Sequence, residues 1–350
     1  MKKLSIFAAT FAVAALSAGQ ASAGFDNTFV DAQHGTDSGP NDCSVIASPC
    51  ATLNNALANT NVNGSVNISG PGFFGPVRLT SSVNINALDN QAVIQANDAA
   101  SPGCVAATPG NCGANSGYAL EIAGTTSTNF KLKGISFRQG SGSGGAVKIG
   151  TANQIKINNS TLRGSGAATL PMLDIVPANG NCPAGQFQLV LDNVDIAFSN
   201  GQAVRILPSG ATAVRLLADH LQVHNASAGI RIDSSSLSGA GCNIVGGVVN
   251  SAFFSFPNSG INIVANSTSN RGTFAAAVSV FTNTGSGGAA LRATGAGAQL
   301  QLTNNVVVGN TIGVQVLNGA QVATFSNNSV GGNGTDTDTA GGVVFTKTPF

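Results

Sequence analysis

Aromatic residues and charge are scarce in this sequence. It has no Trp and a single Tyr, Tyr118. Sugar-binding clefts usually rest on flat rings with a polar edge, so the shortage argues against a neutral-glycan lectin. Charged residues make up 8 % of the 350 positions, with 15 basic against 14 acidic side chains. A balance so close to zero gives no long-range pull toward nucleic acid or an anionic membrane, and neither is expected as a partner. Glu occurs once, at Glu121, and there is no Asp-Asp pair; the one Asn-x-Asp is Asn193-Val194-Asp195. Glycoside hydrolysis needs a close pair of carboxylates, which aspartates alone would have to supply. None of the histidines, His34, His220 and His224, stands beside a cysteine in a zinc-like spacing. The Gly-rich string from Gly140 to Gly145 has no following helix, so it is not a phosphate cradle.

Long apolar runs are also missing after the first residues. Lys2 and Lys3, an apolar stretch from Leu4 to Leu16 and the small triplet Ala21-Ser22-Ala23 read as a secretory signal peptide over 1–23. A membrane span needs about 20 apolar residues, so no span is expected once the leader is removed. Loss of Lys2 and Lys3 turns the small positive excess into a small negative one. Disorder is the weaker reading of so polar a chain, because 43 % hydrophobic residues can fill a core.

The six cysteines lie beyond the leader, in a chain bound for an oxidising compartment, and three disulfides are expected. Cys43 and Cys50 flank one loop and Cys104 and Cys112 another, which leaves Cys182 for Cys242 by elimination. The protein is therefore expected to be secreted or periplasmic, in a Gram-negative-like cell.

What the chain does have is an internal repeat. An apolar-polar-apolar triplet returns as Val77-Arg78-Leu79, Val147-Lys148-Ile149, Leu173-Asp174-Ile175, Val204-Arg205-Ile206, Ile230-Arg231-Ile232, Ile261-Asn262-Ile263 and Val314-Gln315-Val316. Period-2 alternation of this kind marks a strand, and several triplets follow a glycine closely, as at Gly145 and Gly229. A second mark, a turn-forming residue with alternating apolar positions on both sides, recurs at Gly134, Asn159, Asn193, His220, Asn250, Ser279, Asn305 and Asn328, at intervals of 23 to 34 residues. One interval suits one coil of a solenoid with three short strands. A β-sandwich also has many short strands, but would not return the same triplet at a coil-like interval. Asn tolerates the left-handed conformation of a tight corner, and stacked Asn side chains can bond from coil to coil. The expected architecture is all-β, a right-handed parallel β-helix over 62–350, preceded by a capping segment over 24–61. In that segment Leu53, Ala56 and Leu57 have helical spacing and can close the open end.

The segment Phe29-Val30-Asp31, Gly35-Thr36-Asp37, Cys43 and Ser48-Pro49-Cys50-Ala51-Thr52-Leu53, with Ala56-Leu57 after it, resembles the N-terminal module of bacterial secreted β-helix repeat proteins of the pectate-lyase-like superfamily. That resemblance covers about thirty residues and implies the fold and an extracytoplasmic setting, not an activity.

If coils stack in register, the triplet centres form an outward row containing Lys148, Asp174, Arg205, Arg231, Asn262 and Gln315. Lys148, Arg205 and Arg231 in that row are candidate ligands for an extended anionic glycan of the exterior or envelope; the competing expectation is a solubilising face in which Asp174 and Arg205 pair. Asp192 and Asp219 fall just before the corner in neighbouring coils, with Asp195 just beyond it, a candidate Ca²⁺ set. The superfamily resemblance implies that such a site would serve a polysaccharide lyase, with Arg215, His220 or His224 as base. The favoured expectation is a non-catalytic binding or adhesive surface toward an extracellular polysaccharide, with no obligatory cofactor. Phe187, Phe253, Phe254 and Phe274 sit in strand patterns and are expected inside. The loop from Asn97 to Gly117 is long enough to act as a binding element or as surface decoration.

Overall fold

The computed structural model describes residues 24–87, 92–96, 117–140, 144–165, 169–178, 182, 186–239, 241–285, 288–325 and 327–347. The expected leader and the Cys104–Cys112 pair lie outside these residues. The described strands join in one continuous sheet, and the named strand pairs are all parallel. Each coil carries three strand segments, wound in the right-handed sense that parallel crossovers adopt. The first face includes Val83–Ala87, Asn129–Lys133, Ile244–Val249 and Gly272–Ala277. After a corner, the second face includes Ala92–Gln95, Ile135–Arg138 and Ala252–Phe256. The third face holds the triplets, among them Leu173–Ile175 and Ile261–Val264. In two coils the backbone stays extended through the corners, and Gln186–Ile206 and Ala213–Asp233 run as strands of 21 residues touching all three faces.

Period 2 explains the interior. Leu189, Leu191, Val194 and Ile196 point inward and are completely buried or nearly so. Their in-register partners Leu216, Ala218, Leu221 and Val223 continue the same stacks. Phe253 and Phe281 pile face to face, with ring centroids 4.9 Å apart. The apolar runs that looked uniform in sequence therefore split by face: Val307 is buried while Val306 and Val308 stand outside. Phe187, Phe253 and Phe274 are inside as expected. Phe254 is not; one residue out of phase with Phe253, it lies partly exposed against the His224 ring.

The corner between the first two faces is a column of left-handed residues. Gly134, Asn159, Asn193, His220 and Asn250 have φ between 46° and 73°, matching the sequence expectation. In the next two coils the left-handed residues are Val278 and Asn304, one position before the expected Ser279 and Asn305. Ser279 and Asn305 instead turn inward, each 1 % exposed. They bond along the axis: Ser251 N–H donates to Ser279 Oγ at 3.2 Å, Ser279 N–H to Asn305 Oδ1 at 3.1 Å, and Asn305 N–H to Asn328 Oδ1 at 2.9 Å. A backbone N–H freed by the bend thus finds a side-chain acceptor one coil on, which removes the cost of burying it unpaired. Asn310 and Asn333 repeat the arrangement at another bend.

At the N-terminal end Phe25–Val30 pairs in parallel with Thr60–Ile68 and forms the first rung. Helix Leu53–Ala58 is capped by Thr52, whose hydroxyl accepts from Asn55 N–H at 3.2 Å, and it buries Leu53 and Ala56. Cys43 is bonded to Cys50 and Cys182 to Cys242, with Cα separations of 5.1 and 5.5 Å. The two bridges suit an oxidising, extracytoplasmic compartment. Among the described residues no helix is long and apolar enough to cross a membrane.

Val278 is a β-branched residue at φ 50° with its side chain half exposed, so strain there is not repaid by packing. Changing Val278 to Asn, as in most other coils, is expected to stabilise the protein by about 1 kcal/mol. Urea unfolding would register this as a raised midpoint at unchanged slope, and an unchanged or lower midpoint would refute it.

Candidate functional sites on the outer faces

The triplet centres do form one row, and it is longer than the sequence suggested. Arg78, Glu121, Lys148, Asp174, Arg205, Arg231, Asn262, Arg292, Gln315 and Asp338 follow one another in register. Read from its cations alone the row looked positive, but Glu121, Asp174 and Asp338 interrupt it. Lys148 and Arg78 each lie 3.6 Å from Glu121. Arg205 makes a two-point contact with Asp174, both bonds 2.8 Å, and Tyr118 Oη donates to Asp174 Oδ2 at 2.7 Å. The expected Asp174–Arg205 pair is therefore present, with a third member that lay 56 residues away in sequence. Gly145 is required here because the Tyr118 ring crosses the space a Cβ would fill. Burial, then the neighbouring Asp174 charge, pushes the Tyr118 phenol well above its ordinary range. The hydrogen bond to Asp174 holds the Arg205 guanidinium more firmly protonated than usual.

Arg231 lies beside Arg205, but turns along its own strand to Asp233 at 2.8 Å. Burial raises the Asp233 carboxyl. Its hydrogen bonds from Ser235 and Arg231 together outweigh that and leave its pKa below the usual value. Lys148, Arg205 and Arg231, the three expected glycan ligands, thus each face a carboxylate. The row therefore carries both signs, with these three cations paired to carboxylates, rather than presenting a uniform positive charge.

The expected calcium set does not assemble. Asp192 and Asp219 are in-register neighbours on the first face, and Asp219 meets His220 Nδ1 at 2.9 Å and Asn250 Nδ2 at 3.0 Å. Asp195 follows the corner, so it points from the second face, where Arg163 Nη2 and His224 Nε2 hold it. Crossing one left-handed residue redirects the side chain, which two-residue spacing in sequence cannot reveal. Among the described residues no three His, Cys, Asp or Glu side chains converge as a metal site. Of the expected bases, Arg215 stands exposed on the first face, His220 at the corner and His224 on the second face.

The second face holds what the sequence reasoning missed. An open groove of about 580 Å³ follows the corner column and includes Ser136, Thr161, Asp195 and Gln222. These four are in-register neighbours on consecutive coils. Beside the groove, His224 stacks on Phe254 with centroids 5.0 Å apart and meets the edge of Phe198 at 5.7 Å. Arg163 reaches over Phe198 and Arg138 over Phe73, at 6.0 and 5.7 Å from the ring centroids. Phe73 and Phe198 are 60 % and 51 % exposed, so the chain does present aromatic faces after all. The sequence signal for Phe198 was available: the corner before Gly201 carries a ring where the next coil has Asn225. The first face carries a different surface, with Lys131, Lys133 and Lys156 clustered on adjacent strands. Farther along it, Val190, Leu217, Gly247 and Ala275 line an apolar groove of about 510 Å³.

Parallel coils, an inward polar ladder and the capping helix define a right-handed parallel β-helix. No family model and no curated protein matches the chain. Among solved structures it is similar to pectin methylesterase PemA from Erwinia chrysanthemi, at 11 % identity and a TM-score of 0.40, over 73 % of this chain and 79 % of that one. A pectin methylesterase in complex with a hexasaccharide is similar over the same shares, at 12 % identity and a TM-score of 0.40. Neither likeness bears on what this chain binds.

Two outcomes follow for the third face. Replacing Arg205 by Met leaves the buried Asp174 carboxylate with Tyr118 alone and is expected to cost about 3 kcal/mol, measured as a lowered urea midpoint; a change within error would show that the tyrosine suffices as its partner. Asp233 has a depressed folded pKa, so its contribution is complete above the unfolded value of about 3.9 and fades as pH falls through the folded one. Asp233→Asn should therefore lower stability at neutral pH and converge with the parent in strong acid. Parallel stability curves across that range would contradict the assignment.

Proposed function

We propose that this chain is an extracytoplasmic, non-catalytic β-helix that presents a rigid surface for binding or adhering to an extracellular polysaccharide. The observation that carries the reading is the coil register. It holds polar side chains in straight rows at intervals of about 4.8 Å along a stiff rod, a template for an extended polymer. In addition, Asp174, Asp195 and Asp233 are each held by an arginine rather than left as a facing acid and base. In the mature protein, residues 1–23 are removed, 24–61 form the cap and 62–350 the coiled domain. The glycan is the exterior or envelope partner, and the rows engage it without a cofactor.

The test is retention on a panel of acidic and neutral polysaccharides, combined with an ultraviolet assay for unsaturated products with and without Ca²⁺. Retention without turnover is the expected outcome. Product formation that vanishes on Asp192→Ala or Asp219→Ala would replace the proposal with a Ca²⁺-dependent polysaccharide lyase. Absence of retention on every glycan would leave a structural envelope component.

A further inference from the structure

Phe198 occupies a backbone position that an aromatic residue rarely takes. Its φ is 61°, and the in-register positions on the next two coils carry Asn225 and Ser255 in the same left-handed conformation. Short polar residues tolerate that geometry, whereas a large ring there stores strain. Phe198 is also about half exposed, so burial offsets only part of that cost. Val278 is as strained and as exposed, but Phe198 differs in presenting a flat ring beside Arg163 and His224, and that setting points toward a use outside the fold.

The surroundings of Phe198 indicate that use. From Phe73 the second face runs through Val93, Ser136, Thr161 and Asp195 in register, four strand spacings or about 19 Å. The row beside it places Arg138 and Arg163 next to each other on consecutive coils. Arg163 is neutralised by Asp195. Among the described residues no carboxylate lies within ion-pair reach of Arg138, whose guanidinium rests over the exposed Phe73 ring. Exposed rings at both ends, hydroxyls between them and a cation free to meet an anion together make an elongated strip. Sugar rings offer apolar C–H faces for stacking, and uronate carboxylates match the planar fork of an arginine.

We propose that Phe73, Arg138, Arg163 and Phe198 form a binding strip for an extended acidic polysaccharide, with sugar rings stacked on the two phenylalanines and a sugar carboxylate on Arg138. The proposal rests on the polysaccharide-binding reading and assigns it to the second face rather than to the triplet row. Strip binding also explains why the corner keeps Phe198 where the next coil carries Asn225.

The deciding experiment measures binding of the secreted protein to oligogalacturonate and to oligomannuronate by titration calorimetry at low salt. Parent protein is compared with Phe198→Asn, Phe73→Ala, Arg138→Gln and, as a control on the first face, Lys131→Gln combined with Lys156→Gln. Phe198→Asn relieves the backbone strain, so its thermal midpoint is expected to rise while its affinity for the acidic oligosaccharide falls about tenfold. Phe73→Ala and Arg138→Gln are expected to weaken binding similarly, and the lysine control to leave it within about twofold. If an acidic oligosaccharide binds and only the lysine variant loses it, the strip is wrong while the polysaccharide reading stands. If neither these oligosaccharides nor any glycan of the wider panel binds the parent, the polysaccharide reading itself fails, and the strip with it.

Discussion

Backbone hydrogen bonding between successive coils is the constraint on which the rest of this protein depends. Each strand satisfies its N–H and C=O groups from the coils on either side, so every coil must match its neighbours residue by residue. A slip of one residue would turn each inward Leu, Ile or Val to solvent and each outward Lys, Arg or Asn into the core. The apolar interior therefore enforces the register, and the register in turn aligns the exterior. At the bends, where the ladder has no strand partner to offer, Ser160, Ser251, Ser279, Asn305 and Asn328 supply the missing acceptors.

Alignment in rows has an electrostatic consequence. Side chains one coil apart are as close as cross-strand neighbours anywhere, so like charges in a row repel and opposite charges attract. On the third face the row alternates from Arg78 through Glu121, Lys148 and Asp174 to Arg205. Where two arginines meet, one bonds backward to Asp174 and the other forward to Asp233. The first face does otherwise: Lys131 and Lys156 are neighbours in one row, and exposure to water keeps that repulsion small. The second face places arginine against phenylalanine, where a guanidinium gains from the ring without needing a carboxylate. One winding rule thus gives three faces of different chemistry.

Coil period, strand triplets and the helical cap were legible from particular residues. Val204-Arg205-Ile206 and Ile230-Arg231-Ile232 announced in-register strands, and Asn159, Asn193 and Asn250 marked the left-handed corner. The corner was misplaced by one residue at Val278 and Asn304, because a polar residue that follows a bend and points inward looks in sequence like the bend itself. Tyr118 escaped notice for a different reason. Its contact with Asp174 joins residues 56 apart in sequence on strands two coils apart, which no local pattern encodes.

The sequence by itself determined that the chain coils, roughly where each coil turns, and which alternate positions are buried, because these follow from local period and turn chemistry. Only the tertiary structure decided which outward side chains meet. It split Asp195 from Asp192 and Asp219, joined Tyr118 to Asp174 and Arg205, and left Phe73 and Phe198 uncovered. Such meetings depend on the summed length of every intervening strand and loop, and on the direction in which a single left-handed residue sends the chain, quantities that no short stretch of residues contains.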